Sequence, residues 1–392
     1  MISVEEATAR IVAAFAPTQS ETVAIADAAG RVLAEDARAR MTQPPAPVSS
    51  MDGYAVRAAD VPATLRMIGT SPAGHPFAGK LGPGETVRIF TGGVVPDGAD
   101  GIVIQEDTSA DGDRIAMNVA ARPGKHIRPA GMDFREGDLL AAAGKRLTAR
   151  DLSLIASGDF ARVSVRRRPR VAIAATGDEL VPPGQARPPG HIVASSGYGL
   201  SAMIRAWGGE PVDLGILPDR IEAIEGIAGH AKDADLVVTL GGASVGDHDL
   251  IQKALAPKGF ALDFWKIAMR PGKPLIFGRL GETPLLGLPG NPVSTLVCAI
   301  LFLQPAIAAL LGTSTDIARI SARLAGPLGA NDTRQDYVRA RLSERDGERW
   351  VEAFAVQDSS MLSALAGADA LIVRAPHAPA LVEGERVEVI PL

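Results

Sequence analysis

The strongest constraint on the fold of this 392-residue chain is an alternation of apolar strands and helices that begins near Arg170. Strands are predicted at 171–175, 211–217, 235–240 and 284–289, and helices at 197–207, 220–230 and 293–311. Strands that alternate with helices pair in parallel, and the helices cover both faces of the sheet. The pattern therefore predicts a central parallel α/β domain, in which ligands bind at the carboxyl ends of the strands.

Polar or glycine-rich segments follow these strands. They are TGDEL (176–180), LPDR (217–220), GGASVGDHD (241–249) and PGNPVS (289–294). In the third segment, Gly241, Gly242 and Gly246 would let the backbone approach a phosphate, and Ser244 would add a hydroxyl. This turn matches neither the GxGxxG fingerprint nor a P-loop, so it predicts a phosphate site without naming the ligand.

Four carboxylates at this edge each allow two interpretations. Asp247 and Asp249 either bind Mg²⁺ or a polar heterocycle, or are helix N-terminal carboxylates favoured by the helix dipole. Glu179 and Asp219 could each cap a helix, and capping is the favoured interpretation of Asp219 taken alone. Their common placement at strand ends favours a functional role.

Two turns rich in proline and glycine predict an anion site. The first, in DFWKIAMRPGKP, carries the cations Lys266, Arg270 and Lys273. In the second, LGLPGNPVSTLV, Asn291 suits a helix N-cap and is followed by proline, which suits the first helical position. Ser294 then falls in the first turn, where free N–H groups and the helix dipole favour an anion.

The remaining segments are rich in β-strand patterns. Between residues 40 and 145, proline and glycine separate short alternating runs such as ETVRIF, DGIVIQ and DRIAMNV, which predicts antiparallel strands. Asp52 is first interpreted as half of an Asp-Gly hairpin turn, and IFTGG as a turn in which Thr91 is an available donor. After Gly312, five or six short strands predict a second β domain.

Composition excludes several classes of protein. The net charge of −5 does not favour nucleic acid or an anionic membrane as a partner. The six histidines lack ligand spacing, and no arrangement of a nucleophile with a base stands out. The N-terminus does not resemble a signal peptide, and no uncharged apolar span of about 18 residues is expected. These observations predict a soluble, cytoplasmic protein.

The ordered motifs resemble those of one family. SSMDGYAV, IFTGG, GMDFREGD, TGDEL, GGASVGDHD, FWKIAMRPGKP, LGLPGNPVS and DYVRARL occur in this order in the MoeA family, the molybdopterin molybdenumtransferases, which includes the E domain of gephyrin. The resemblance implies an enzyme that inserts molybdate into adenylylated molybdopterin, releases AMP and needs Mg²⁺. It also implies a homodimer with the active cleft between its subunits, and contacts with other molybdenum cofactor biosynthesis proteins.

The implied fold is multidomain α/β plus β, with a β-rich insert and a C-terminal domain resembling a β-barrel. The α/β molybdopterin-binding domain would span 1–20 and 166–318, a connecting domain 21–39 and 135–165, the β-rich domain 40–134, and the C-terminal β domain 319–392.

The resemblance also implies roles for individual residues. Molybdate would lie among Arg270, Lys273, Ser294, Arg339 and Ser359. Catalytic positions would be Asp52, Thr91, Asp133, Glu179, Asp219, Asp249, Lys266 and Arg270, with Asp249 and Glu179 as the metal ligands. Substrate would also contact Gly241, Gly242, Ser244, Gly246, Pro289, Gly290 and Asn291. Arg270 stands where many family members have lysine, and VQDSSML departs from the usual run of small residues around Ser359.

Two other functions compete with this interpretation. Molybdopterin adenylylation uses a related α/β domain, but it assigns no role to the β-rich flanks. A gephyrin-like scaffold without catalysis would need a linker and a second α/β domain, which this sequence lacks.

Overall fold

The computed structural model describes residues 1–242 and 248–392. Its helices are α1 (Val4–Ala13), α2 (Ala149–Ser157), α3 (Ser196–Ala206), α4 (Ile221–Glu225), α5 (Ile227–Ala231), α6 (His248–Leu255), α7 (Pro292–Cys298), α8 (Gln304–Leu311) and α9 (Leu362–Ala366). A π-helical segment, Ala299–Leu303, joins α7 to α8, and 3-10 turns occur at Ile25–Asp27, Ala58–Asp60, Gln105–Asp107 and Ala256–Lys258.

The first strands along the chain are β1 (Ser20–Ala24), β2 (Ala37–Arg38), β3 (Val48–Ser49), β4 (Gly53–Val56), β5 (Thr64–Ser71), β6 (Glu85–Ile89), β7 (Gly101–Ile104), β8 (Thr108–Asp111), β9 (Arg114–Met117), β10 (Ile127–Arg128), β11 (Leu139–Ala141) and β12 (Arg162–Arg166). They are followed by β13 (Arg170–Thr176), β14 (Leu180–Val181), β15 (Ile192–Val193), β16 (Glu210–Leu217), β17 (Leu236–Leu240), β18 (Phe260–Trp265), β19 (Met269–Arg270), β20 (Ile276–Leu280) and β21 (Thr283–Leu288). The last are β22 (Ile320–Leu324), β23 (Gln335–Arg345), β24 (Glu348–Ala353), β25 (Ala370–Arg374) and β26 (Arg386–Pro391).

The chain divides into two compact units. The first contains Met1–Glu21, Gly30–Ala34 and Val165–Leu392, and the second contains Thr22–Ala29 and Glu35–Ser164. The predicted α/β and C-terminal β domains therefore share the first unit, and most of the predicted connecting and β-rich domains form the second. The finer division into four domains stays a prediction.

The first unit is built on a six-stranded sheet in the order β16-β13-β17-β21-β20-β18. The four strands β16, β13, β17 and β21 are parallel, as predicted. The strand β20 makes the sheet mixed, since it is antiparallel to both β21 and β18. The reason is the connections: only Gly281 and Glu282 separate β20 from β21, and so short a link cannot carry the crossover that parallel pairing requires.

Helices cover both faces of this sheet, because alternate residues of each strand point to opposite sides. Val171 and Ile173 of β13 pack in one core with α1, α3, α7 and α8. Ala172 and Ala174 pack in another core with α4, α5 and α6. The predicted helix over 220–230 is divided at Gly226 into α4 and α5.

The helix Pro292–Leu311 corrects one expectation. It is 20 residues long with a mean hydropathy of 2.1, long and apolar enough to cross a membrane, whereas no such uncharged span was expected. Its most apolar stretch is 83% buried within the protein. This burial identifies it as a core helix, and its apolar composition follows from being surrounded on nearly all sides.

The C-terminal strands close into a barrel. The order β23-β24-β22-β26-β25 returns to its start because β25 also pairs with β23, and β19 adds to the outside of β23. The predicted architecture of α/β plus β with a barrel-like C-terminal domain is confirmed.

The second unit contains a six-stranded sheet in the order β7-β4-β6-β5-β9-β8, and the three predicted alternating runs form β6, β7 and β9. The helix α2 begins with a capping box between Thr148 and Asp151. The hairpin interpretation of Asp52 is wrong. Gly53 lies within β4, where a Cβ would come within 2.1 Å of the Val103 carbonyl oxygen, so glycine is needed there for close strand packing.

Candidate functional site

A cavity of about 650 Å³ lies at the carboxyl edge of the α/β sheet. Four of the segments that line it follow the parallel strands: 176–180 after β13, Asp219 after β16, Gly241–Gly242 after β17, and 289–294 after β21. The strand register places Leu240 beside both Ala175 and Leu288, so these segments leave the sheet side by side. The predicted convergence of polar segments at one edge is confirmed.

Glycine allows two of these turns to approach each other. Gly241 and Gly242 have φ of +94° and +65°, and a Cβ on Gly241 would lie 2.8 Å from the Thr176 carbonyl oxygen. A Cβ on Gly290 would lie 3.5 Å from the Cα of Gly241, so the second turn packs directly on the first. The predicted site residues Ser244 and Gly246, together with Asp247, lie outside the described residues. Asp249 belongs to α6, but its side chain is also outside the described part of the structure.

Two of the predicted carboxylates line the cavity. Glu179 and Asp219 are both exposed there. Glu179 directly precedes β14 rather than a helix, and α4 begins at Ile221 with Arg220 in the N-cap position. Glu179 is thus followed by a strand, and Asp219 does not occupy the N-cap position of α4, the helix that follows it. The main-chain N–H of Asp219 donates to Asp178 Oδ1 at 3.1 Å, so Asp178 fixes the loop that presents Asp219.

Apolar side chains form an apolar wall of the same cavity. Leu180, Ile192, Val193 and Leu250 line the same cavity, and the exposed fractions of Ile192 and Val193 are 54% and 41%. An exposed apolar surface beside acidic groups can cover a flat ring while carboxylates accept hydrogen bonds from its edge.

The start of α7 also lines the cavity. Asn291 occupies the N-cap position and Pro292 the first turn, as predicted, and Ser294 lines the cavity although it is 95% buried. The Asn291 side chain does something other than cap its helix, since Nδ2 donates to Ser359 Oγ at 3.0 Å. The Val293 N–H also donates to the Ser359 carbonyl oxygen, at 3.1 Å.

The three predicted cations do not converge on the cavity. Lys266 has φ of +70° and its Nζ lies 3.5 Å from the centroid of the Trp265 ring. Lys273 is exposed, and its carbonyl oxygen accepts the Ile267 N–H at 3.0 Å, which closes the turn. Among the described residues of this turn, Pro274 lines the cavity.

Arg270 is committed to carboxylates of the barrel. Its Nε donates to Asp336 Oδ1 at 2.9 Å, its Nη2 donates to Asp336 Oδ2, and Nη1 lies 3.6 Å from Asp332 Oδ2. The hydrogen bonds and charge of Asp336 raise the pKa of the Arg270 guanidinium. The predicted cradle of three cations is therefore present in sequence but divided among three environments.

Arg339 and Ser359 meet the cavity through one loop. The Arg339 side chain is only 1% exposed, and its burial lowers the pKa of the guanidinium. Its Nη1 donates to the carbonyl oxygens of Asp358 and Met361, at 2.8 and 3.4 Å. The loop continues through Ser360, which lines the cavity.

The remaining predicted residues belong to the second unit. Asp52 Oδ1 accepts the Thr91 N–H at 2.7 Å and the Thr91 hydroxyl at 2.8 Å, and these bonds lower the pKa of Asp52. IFTGG is a turn, and Thr91 is a donor, as predicted. Asp133 is exposed.

Sequence reasoning missed Asp178, Asp336 and Gln357. Asp336 begins the DYVRARL motif, and Gln357 lies two residues before Ser359, so both were adjacent to residues already singled out. What no local pattern indicated is that Asp336 pairs with Arg270, 66 residues away.

Comparisons with known proteins agree with this architecture. Three family models match the chain. The model described as "MoeA N-terminal region (domain I and II)" matches residues 2–158, the one described as "Probable molybdopterin binding domain" matches 172–309, and the one described as "MoeA C-terminal region (domain IV)" matches 321–392.

Similar proteins cover nearly the whole chain. The molybdopterin molybdenumtransferase of Nostoc sp. is 37% identical over 84% of this chain and 78% of the relative. That of Haemophilus influenzae is 35% identical over 96% of this chain and 94% of the relative. The crystal structure of the molybdopterin biosynthesis MoeA protein from Pyrococcus horikosii has a TM-score of 0.87 and 31% identity, covering 100% of this chain and 99% of that one. The resemblance found in the sequence motifs is thereby confirmed, and the chain belongs to the MoeA family.

Proposed function

We propose that this protein inserts molybdate into adenylylated molybdopterin, releasing AMP and yielding the molybdenum cofactor. The observation that carries the proposal is the cavity at the carboxyl edge of the sheet in a chain of the MoeA family. The cavity combines a glycine turn, two carboxylates, an apolar wall and a helix N-terminus. The glycine turn suits a phosphate, and the carboxylates suit the edge of the pterin or adenine. The apolar wall suits the face of the ring, and the helix N-terminus suits the molybdate dianion.

Molybdate would bind at the α7 end of the cavity. Ser294 lies there with the positive end of the helix dipole, and Lys273 belongs to the turn that reaches the cavity through Pro274. Ser359 adjoins the same helix start through Asn291. Arg270 and Arg339 complete the set implied by the resemblance; Arg270 now donates to Asp336, and Arg339 donates to the loop that carries Ser359.

The adenylylated pterin would occupy the rest of the cavity. The backbone at Gly241 and Gly242 would hold its phosphates, and Glu179 and Asp219 would accept hydrogen bonds from the heterocycle or hold Mg²⁺. The donor set fits Mg²⁺, which proteins usually bind through one or two carboxylates together with substrate phosphates. Asp249 would be a further ligand. A bound Mg²⁺ would neutralise charge on those phosphates.

Catalysis would rest on positioning and electrostatics, with no covalent enzyme intermediate. The backbone N–H groups of the glycine turn and the α7 dipole lower the energy of negative charge on the leaving phosphate. Lys273 and Lys266 would contribute positive charge near the anhydride. The pterin dithiolene then captures molybdenum before it leaves the cavity.

We further propose a cytoplasmic homodimer in which Asp52, Thr91 and Asp133 of one subunit complete the cavity of the other. Mixing a Lys273→Ala chain with an Asp52→Ala chain tests this arrangement, because only a composite site can be restored in such heterodimers. Confirmed heterodimers that stay inactive would show that each site is built from a single chain.

The function itself is tested with Lys273→Ala. Loss of one charge-assisted hydrogen bond, worth about 1.5–3 kcal/mol, should raise the molybdate concentration for half-maximal AMP release about ten- to a hundredfold. Lys258→Ala is the matched control, since Lys258 precedes β18 at the opposite edge of the sheet, where it pairs with Glu225. Equal molybdate curves for wild type and Lys273→Ala would mean that Lys273 does not bind the anion.

A second incubation, together with the AMP-release assay, separates the rival functions. Incubation with molybdopterin, ATP and Mg²⁺ but without molybdate should give no adenylylated product. Accumulation of that product would identify an adenylyltransferase. Absence of AMP release from adenylylated molybdopterin with molybdate present would favour a scaffold.

A further inference from the structure

The loop over residues 357–361 forms part of the cavity wall, although it belongs to the barrel side of the first unit. Its residue Ser360 lines the cavity, and Ser359 contacts the start of α7 through two hydrogen bonds. A loop is more mobile than a strand or helix, so its precision as a binding wall depends on what holds it.

Gln357 forms four hydrogen bonds, of which three hold the loop to Arg339 of β23 and one reaches Phe354, the residue after β24. Its Oε1 accepts the main-chain N–H of Arg339 at 3.0 Å and the Arg339 Nε–H at 3.1 Å. Its Nε2 donates to the carbonyl oxygens of Arg339 and Phe354, both at 2.9 Å. The carboxamide therefore uses both its acceptor and both its donors within the loop and strand.

Arg339 extends the same network beyond Gln357. Because its guanidinium is buried, the acceptor it finds at Gln357 is important: a buried donor without a partner is costly. With Nε fixed by Gln357, Nη1 reaches the carbonyl oxygens of Asp358 and Met361, on either side of Ser359 and Ser360. The two serines are thus bracketed by bonds to one side chain.

We propose that Gln357 is a positioning residue for the anion end of the cavity, acting through Arg339 to set Ser359 and Ser360 against the start of α7. The inference rests on the proposed function for its kinetic consequence, whereas the positioning itself concerns only contacts within the first unit. It also gives a role to the segment in which this chain departs from the family pattern, VQDSSML.

The kinetic test uses Gln357→Ala, Gln357→Glu and, as matched control, Val356→Ala, which removes the neighbouring side chain with an exposed fraction of 54%. In Gln357→Ala the half-saturating molybdate concentration should rise about tenfold or more with little change in kcat, because displacing a binding group by about 1 Å weakens contacts steeply. Gln357→Glu keeps the acceptor for both Arg339 N–H groups, so it should lie between wild type and Gln357→Ala.

Hydrogen exchange provides a readout independent of activity. The Val293 N–H donates to Ser359, and the Arg339 N–H donates to Gln357, so both should exchange faster in Gln357→Ala and stay unchanged in Val356→Ala. Unchanged exchange in Gln357→Ala, or equal kinetic effects of Val356→Ala, would overturn the inference. Faster exchange in a protein whose wild type shows no molybdate dependence would instead overturn the proposed function and leave the positioning intact.

Discussion

The pairing of Arg270 with Asp336 predicts that one carboxylate controls both stability and anion binding. The resemblance assigns Arg270 to molybdate, yet its guanidinium forms two hydrogen bonds with Asp336. If Arg270 binds the anion through the two N–H groups that now hold Asp336, molybdate has to displace this carboxylate. The free energy that the pair contributes to folding is then subtracted from the binding of molybdate.

The structure gives a magnitude for this contribution. Two unit charges about 3 Å apart attract by roughly 5 kcal/mol at an effective dielectric constant of about 20, before desolvation and side-chain ordering are subtracted. The Arg270 and Asp336 side chains are 51% and 10% exposed, so the pair is intermediate between surface and buried cases. Surface pairs contribute up to about 1 kcal/mol and breaking buried ones costs about 3–5 kcal/mol, which leaves about 2 kcal/mol here.

Asp336→Asn should therefore lower the free energy of unfolding by about 2 kcal/mol and tighten molybdate binding by up to about thirtyfold. Denaturant unfolding and molybdate titration of AMP release measure the two effects. Asp332→Asn is the control, because Asp332 lies 3.6 Å from Arg270 and is itself 45% exposed, so less than about 1 kcal/mol is expected. Lost stability with an unchanged molybdate curve in Asp336→Asn would refute the reasoning and make Arg270 a purely structural link.

Two further predictions concern the folded state alone. Hydrogen bonds from Lys145 and Thr148 lower the pKa of Asp151 from 3.8 to about 2. About 2 kcal/mol of folding stability should therefore be present above pH 3.8 and disappear as the pH falls to about 2. Asp151→Asn should remove this pH-dependent component from an acid-unfolding series. Gly272→Ala should lower the free energy of unfolding by about 2–4 kcal/mol, because φ is +109° and the new Cβ would lie 2.3 Å from Cys298 Sγ. Gly281→Ala, where φ is +61° and no atom is near the new Cβ, should lower it by about 1 kcal/mol. Equal melting temperatures for the two alanine variants would contradict the packing argument.

The sequence predicted the elements whose signals are local. Apolar runs followed by polar or glycine-rich segments located the strands β13, β17 and β21. The convergence at the carboxyl edge followed from the topology of parallel strands, which requires no knowledge of side-chain contacts.

The contacts of the cations could not be predicted in this way. Arg270 was expected at the anion because it is one of three cations in the turn DFWKIAMRPGKP. Its observed partner, Asp336, is distant in sequence. Lys266 was expected to point inward, and it stacks instead on the adjacent Trp265 ring. The direction of a long flexible side chain depends on which partner the tertiary fold brings near it.

The closed barrel described above has a consequence for the behaviour of the protein at high concentration. Each strand from β22 to β26 pairs with two or more other strands in the described chain, so the barrel presents less open backbone to neighbouring molecules than a sheet with two free edges. The α/β sheet does end in two outer strands, β16 and β18, and each is interrupted by an irregularity in its pairing, with Pro211 also present in β16. Bulged edges and proline hinder the addition of a foreign strand. The closed barrel and the irregular outer strands thus limit the routes by which copies of this chain could join edge to edge.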